Sequence, residues 1–443
     1  MEFIQKPQRK GEQTLDEILR MEPSGQKIVI KGAVHSIRRM GEVSFIILRR
    51  REGIFQTVYE KGKCEIPIEK IREGAALQVC GELSREERAP HGMELRLEDI
   101  KILSEPAKPL PLAVDKWKLQ TSLEAKLDMR PLSLRNLRER AVFKIQEGLV
   151  RGFREYLSSQ GFTEIHTPKI TAKGAEGGSN MFKLSYFHKP AVLAQSPQFY
   201  KQMMVGVFDR VFETAPVFRA EKHNTKRHLN EYTSLDFEMG YIDSIQDLME
   251  METGFLQYAM ELLKRDYEKE CRLLEVELPN VEKIPQVRFD EAKRLVSEKY
   301  SRKIKNPFDL EPEEESLIGR YFKEEYGADF VFVTAYPSKK RPFYAMDDPQ
   351  DERFTLSFDL LFHGLEVTTG GQRIHDYHAL LEKIERRQMD TEGMESYLDA
   401  FRYGMPPHGG LGIGMERLTM QLLGRENVRE TTLFPRDLGR LEP

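Results

Sequence analysis

The sequence predicts an α+β protein: a small closed β-barrel followed by a larger domain of mostly antiparallel strands with helices. Three observations carry that prediction. Residues 27–103 fall into short β-branched and apolar runs, KIVIKGAVHSI, VSFIILRRREGIFQTVYE, AALQVCGELS and MELRLEDIKIL, with turns at Gly41, Gly53 and Gly92. About five strands in about eighty residues suit a barrel. Next, Pro106, Pro109 and Pro111 crowd one stretch, and proline fixes φ and removes donors, so 106–133 reads as a hinge between a barrel at 1–105 and a domain at 134–443. Beyond the hinge, strand-like segments and helices follow no regular β-α-β alternation.

Each element has its own signature. From 134 to 160, Leu137, Val142, Ile145, Leu149, Phe153 and Leu157 recur at helical spacing, which predicts a long amphipathic helix that Gly161 can cap. FTEIHTPKI then reads as a strand broken by Pro168, which cannot donate to a ladder. A helical stretch covers roughly 244–270, and further strands are expected at DFVFVTAYP, FTLSFDLLFHGLEVTT and the glycine-rich GGLGIG. There is no internal repeat.

Composition removes whole classes of function. The 68 basic and 72 acidic side chains leave a net charge of −4, so no global positive field holds a polyanion and any such partner must meet a local patch. No apolar run reaches the roughly 18 residues of a membrane span, and the N-terminal MEFIQKPQRKGEQ has no signal-peptide core, so a soluble cytoplasmic protein is expected. Cys64, Cys80 and Cys271 are an odd number without CxxC spacing, which argues for buried thiols over a disulfide framework or a zinc site.

Two segments carry chemistry. In VFRAEKHNTKRHLNEYTSLDFEMGYI a strand leads to Arg219, Ala220 and Glu221, a polar loop holds Lys222, His223, Lys226, Arg227, His228 and Leu229, and a return strand carries Tyr232, Asp236 and Glu238. Such a hairpin can set guanidinium forks on phosphates beside a purine; it also reads as a merely solvated, charged hairpin. The second segment, GGLGIGMERL, spaces Gly410, Gly412 and Gly414 unlike a dinucleotide fingerprint, but puts Met415, Glu416 and Arg417 at a helix start, where an arginine can reach a phosphate.

Together these segments resemble the class II aminoacyl-tRNA synthetases. The helix, glycine and proline-ended strand (about 152–170), the Arg-x-Glu hairpin (about 213–242) and Gly-x-Gly-x-Glu-Arg (about 409–423) match its three motifs in order. AEGGSNMF, QSPQFYKQ and GGQRIHDY are similar to the aspartyl enzymes of the compact archaeal and eukaryotic type, over nearly the whole chain. The resemblance implies a five-stranded OB-fold that binds the anticodon and a catalytic domain on an antiparallel sheet. It implies ATP and Mg2+, L-aspartate and tRNA(Asp) as partners, and a homodimer formed through the long helix and the Pro168 strand, although intramolecular packing would leave the same apolar stripe.

Residue by residue, it places Lys201 and Arg373 on the substrate side-chain carboxylate, with Gln198 and Asp236 helping to hold the amino acid and Glu176 in a mobile loop over it. A bidentate arginine plus a lysine favours a carboxylate over an amide. Arg219 goes to the α-phosphate, Glu221 to the adenine amino group, Tyr232 under the adenine, and Arg227, His228 and Arg417 to the outer phosphates, with Ala220, Leu229, Gly414, Met415 and Glu416 around the nucleotide. Asp359, Glu366 and Thr369 stand where the family has its magnesium ligands, Thr369 replacing the usual serine; Asp359 alternatively reads as a cross-strand salt-bridge partner. Phe45 and Gln56 match the anticodon readers, Phe45 alternatively being barrel core. Ala33 stands where relatives specific for one tRNA often carry tryptophan, so charging of tRNA(Asn) as well is the alternative function. An asparaginyl enzyme, a catalytically silent RNA-binding paralogue and an amide-forming enzyme are disfavoured by Lys201, by the presence of Arg219, Glu366 and Arg417, and by the barrel respectively.

Overall fold

The structure, a computed structural model, describes residues 13–23, 25, 27–172, 174, 180–222 and 225–442. Glu176 and His223 lie outside the described residues. By internal packing the chain divides after Glu139 into two units.

In the first unit, β1 (Lys27–Met40), β2 (Val43–Arg49), β3 (Ile54–Glu60), β4 (Ala76–Arg85) and β5 (Met93–Ser104) close into a barrel in the order β1-β2-β3-β5-β4. Alternation in the sequence sets the inner face: Ile28, Ile30, Ile46, Leu48, Leu77 and Val79 fill the core. A Cβ at Gly81 would lie 2.0 Å from the Arg96 carbonyl oxygen, so only glycine lets β4 meet β5 this closely. The short helix Leu15–Leu19, fixed by a capping box between Thr14 and Glu17, adds Leu15 and Ile18 to the core and lies outside the sequence expectation. The expected hinge is only partly irregular: it ends in the helices Leu123–Asp128 and Arg130–Ser133. Asn136 donates to the carbonyls of Val114 and Lys116 (3.0 and 2.6 Å) and accepts from the N–H groups of Arg138 and Glu139, so one side chain pins the proline-rich stretch and caps the next helix.

That helix is α1 (Leu137–Ser159), closed by Gly161 at φ +79°. Within the second unit its stripe of Val142, Ile145, Leu149, Phe153 and Leu157 is buried. Phe153 meets Phe212 and Phe255 edge-on at 5.7 and 5.1 Å. At roughly 1.5–3 kcal/mol per large apolar side chain, this face is a main prop of the core. The stripe is therefore packed inside the chain, the intramolecular alternative for this face.

The second unit is built on one mixed sheet. Its strands are β6 (Thr163–Glu164), β7 (Arg210–Phe218), β8 (Glu231–Gly240), β9 (Gln286–Arg288), β10 (Phe330–Thr334), β11 (Ser357–Phe362), β12 (Leu365–Gln372) and β13 (His408–Gly414), in the order β9-β10-β11-β12-β13-β8-β7-β6. Neighbours are antiparallel except the outer pairs β9/β10 and β6/β7. Pro168 breaks the predicted strand into Thr163–Glu164 and Ile170–Thr171, as a missing donor requires. One sheet face carries Leu235, Phe237, Leu360, Leu411 and Ile413 into the core shared with α1 and α3 (Ile245–Asp266). Two further helices matter for the site: α2 (Gln198–Phe208) and α4 (Pro312–Tyr326), the latter in a charge-rich stretch whose apolar spacing is too sparse to announce it. Among the described residues no helix is long and apolar enough to cross a membrane.

Candidate active site

Strand register builds the floor of the site. Asp359 on β11 lies opposite Thr369 on β12, Thr369 opposite Gly412 on β13, and Gly412 opposite Asp236 on β8. Directly paired residues share a face, so these four form one row on the face turned away from the core. Two residues along, Gly410 faces Glu238. A Cβ at Gly410 would lie 2.1 Å from the Phe237 carbonyl oxygen and 2.3 Å from Glu238 Oε2, and one at Gly412 3.1 Å from Asp236 Oδ1. The glycines leave room for two buried carboxylates beneath a flat surface.

Those carboxylates organise the first cluster. Lys201 on α2 is buried and donates to Asp236 Oδ1 and the Leu411 carbonyl, both at 2.9 Å, with Glu238 Oε2 at 3.3 Å. Arg373 donates through Nε to Glu238 Oε1 at 2.8 Å and through Nη2 to the Gly410 carbonyl at 2.9 Å. Glu238, fully buried, would be pushed up by burial, but Arg373 and Lys201 hold its carboxyl below the usual range. Glu238 thus joins the two cations expected to read the substrate carboxylate, a role the motif resemblance did not give it. Lys201 spends its donors on protein acceptors, so the hydrogen-bonding capacity left for a ligand is on Arg373. Gln198 Nε2, buried at the start of α2, has no hydrogen-bond partner among the described residues and is a second donor for a ligand. Beneath them His408 donates from Nδ1 to the Pro406 carbonyl and accepts at Nε2 from Gln202, a tautomer set by the carbonyl. Burial pushes His408 down to about 4, so it is a neutral support.

The second cluster stands on β7, β8, β12 and α5 (Met415–Leu422). Arg219 and Glu221 follow the end of β7, and Asn230 donates to both their carbonyls at 2.7 and 3.0 Å, closing the loop. The Arg219 guanidinium lies 5.9 Å from the Tyr232 ring centroid, and Glu221 lies 4.0 Å from Arg219 and 3.9 Å from His228. Arg417 donates to the carbonyls of Arg227 (3.2 Å) and Glu366 (3.1 Å), tying the loop to β12. Arg227 is ion-paired with Glu315 of α4, whose carboxyl burial and the nearby Glu366 push up to about 7. The buried Glu416 accepts from the Thr233 N–H at 3.0 Å and so fastens α5 to β8; burial pushes it up to about 7. Leu229 and Met415 bury their side chains in apolar clusters, and the Ala220 N–H donates to Asn180 at 3.0 Å. Gly414 caps α5 at its start.

The family model of class II tRNA synthetases (D, K and N) matches residues 122–438, and that of the OB-fold nucleic acid binding domain matches 28–103. This chain is a class II aminoacyl-tRNA synthetase. The Thermus thermophilus aspartate–tRNA(Asp/Asn) ligase is 46% identical over 95% of this synthetase and 97% of its own length. The Pyrococcus furiosus aspartate–tRNA(Asp) ligase is 40% identical over 95% and 97%. The crystal structure of the Pyrococcus horikoshii asparaginyl-tRNA synthetase complexed with asparaginyl-adenylate gives a TM-score of 0.87 at 32% identity, covering 95% of this chain and 97% of that one.

The synthetase's expected magnesium residues divide. Thr369 donates to Glu366 Oε1 at 3.2 Å on the open part of β12, whereas Asp359 is buried with Nη2 of Arg341, a loop residue outside the motifs, 2.9 Å from its Oδ1. Among the described residues no three His, Cys, Asp or Glu side chains converge to hold a metal alone. Hard oxygen donors with so few protein ligands fit a Mg2+ shared with phosphate oxygens. In the barrel, Phe45 is absent from the core and pairs with Val58, while Ile47 pairs with Gln56, so all four share the outer face and Phe45 and Gln56 are diagonal neighbours. Gln56 donates to the buried Glu94 at 2.9 Å.

Proposed function

We propose that this synthetase is an aspartate–tRNA ligase that activates L-aspartate with ATP and transfers it to the 3′ end of tRNA(Asp). The observation that carries this reading is the Lys201–Glu238–Arg373 arrangement: two buried cations held by one buried glutamate beside the glycine floor. An amide would present donors to that guanidinium, whereas a carboxylate accepts from it. The α-carboxylate of aspartate attacks the ATP α-phosphorus in line, forming aspartyl-adenylate as the bond to pyrophosphate breaks. A ribose hydroxyl of the tRNA terminus then takes the aspartyl group and adenylate leaves. The nucleophile is already ionised, so positioning and charge neutralisation suffice. Arg219 serves the α-phosphate, Tyr232 the adenine, and Arg227, His228 and Arg417 the outer phosphates. Glu366, Thr369 and Asp359 would hold Mg2+, which when bound neutralises charge on the phosphates.

Aspartate-dependent pyrophosphate exchange tests the site. Arg373→Ala is expected to lower kcat/KM for aspartate roughly 10- to 100-fold, the weight of a charge-assisted hydrogen bond, and a variant that exchanges at full rate rejects the assignment. A second reading, that tRNA(Asn) is charged as well, is favoured by Ala33 and by the name of the Thermus relative. Aspartylation of both purified tRNAs decides it. A cytoplasmic homodimer belongs to the same proposal; with the α1 stripe buried, its contacts would fall on the exposed Ile170, Val207, Phe208 and Tyr241, and light scattering gives the mass.

A further inference from the structure

We propose that Arg341 is a resident counter-cation for Asp359 that makes metal binding at Asp359 and Glu366 conditional on ATP. The inference rests on the reading of these two carboxylates as magnesium ligands and adds a residue outside every motif. Arg341 follows β10 in the segment SKKR, a charge run that from sequence alone belongs on a solvated surface. The fold leaves its side chain only 10% exposed instead. Its guanidinium carbon lies 3.9 Å from the Tyr336 ring centroid, and Nη2 lies 2.9 Å from Asp359 Oδ1. Neither of those two atoms, nor Arg341 Nε, makes an aligned hydrogen bond. The pair therefore has charge contact without the locked fork of a bidentate arginine–carboxylate bridge, which makes Asp359 easier to release.

The charges explain why the arginine is there. Asp359 is buried, Glu366 adds a like charge nearby, and Arg341 opposes both. Glu315, the other carboxylate beside Glu366, is already matched by Arg227. Arg417 Nη1 lies 3.6 Å from Glu366 Oε1, so two carboxylates stand against two guanidinium groups and no net negative charge is left to draw a strongly hydrated divalent ion out of water. A triphosphate supplies the missing negative charge and oxygen ligands, so nucleotide and metal enter together. Without Arg341 the Asp359 carboxylate would stand unopposed while Glu366 kept Arg417, leaving the net negative charge that draws a divalent ion without nucleotide. Arg341 is thus a positioning residue acting through Asp359.

Mn2+ titration followed by electron paramagnetic resonance, with and without ATP and in the absence of aspartate, tests this. The wild-type enzyme is expected to bind Mn2+ weakly alone and much more tightly with ATP. Arg341→Met and Arg341→Gln should bind Mn2+ alone about tenfold or more tightly than wild type, and Arg341→Lys should restore weak binding, a gain and rescue that loss of packing would not produce. Asp359→Asn separates the two levels. If it leaves ATP-dependent Mn2+ binding unchanged, the metal reading fails. If it abolishes that binding while the neutral Arg341 variants bind Mn2+ alone no better than wild type, the Arg341 inference fails and the metal reading stands. Should both neutral variants lose their folded melting transition, Arg341→Lys still decides: it keeps the cation, so Mn2+ binding without ATP tenfold tighter than wild type would overturn the proposal.

Discussion

Glu252, on α3, sits beneath the catalytic sheet with Oε1 accepting from the Thr368 hydroxyl at 2.6 Å and Oε2 without a partner among the described residues. Burial, with a smaller push from Asp359, raises its carboxyl to about 8. A raised folded value means that its favourable contribution is complete below the unfolded value of roughly 4.5 and is lost as pH rises through about 8. Glu252→Gln keeps a neutral acceptor for Thr368 and cannot ionise. Its melting temperature is therefore expected to match wild type in mild acid and exceed it at about pH 9, and parallel melting curves across that range would rule the idea out. Residues of this kind were the least legible in the sequence. Glu252, Glu238, Glu315 and Arg341 lie on or between helices and strands where charged residues usually face water, and only the pairing of distant segments buries the three glutamates and leaves the Arg341 side chain 10% exposed. Motif matches reached Arg219, Tyr232 and Arg417, because there the chemistry is local to a hairpin or a helix start.

At the scale of elements, β13 is held between β8 and β12 by an absence of side chains. Gly410→Ala puts a methyl against the Phe237 carbonyl oxygen and Glu238, neither of which can yield cheaply, and is expected to cost about 1–3 kcal/mol of stability together with aspartate binding. Gly414→Ala, whose nearest neighbour would be the flexible Arg417 at 3.7 Å, should melt as wild type does. Denaturant titration of the two variants side by side makes the comparison, and equal midpoints would contradict it. Strand alternation and glycine turns made the barrel and the strands β10, β11 and β12 readable in advance, since period-two patterning is a local property. The use of the α1 stripe was not readable: an amphipathic face looks the same whether its partner is α3 or a second copy of the chain.

For the whole molecule, the division into two units separates two kinds of recognition. Phe45 and Gln56 share the outer face of the barrel, so Phe45→Ala is expected to raise KM for tRNA roughly 5- to 100-fold, the worth of one stacked base, while pyrophosphate exchange without tRNA stays unchanged. Loss of both activities would place Phe45 in a structural role. Near-balance of 68 basic against 72 acidic residues is consistent with this separation. Many arginines and lysines of the second unit are neutralised in pairs, Lys201 and Arg373 by Glu238 and Arg227 by Glu315 among them.

The position of β13 has a consequence for how the protein is made. It follows every other strand of its sheet along the chain yet lies between β12 and β8. During synthesis the sheet must exist as two halves, β9 to β12 and β8 to β6, each with a long bare edge, until residues 408–414 emerge and zip them together. The row from Asp359 to Asp236 does not exist before that moment, since Gly412 is its middle link. A nascent chain stalled short of β13 would have a finished barrel able to bind RNA, no working catalytic centre, and two sticky sheet edges for a chaperone to cover.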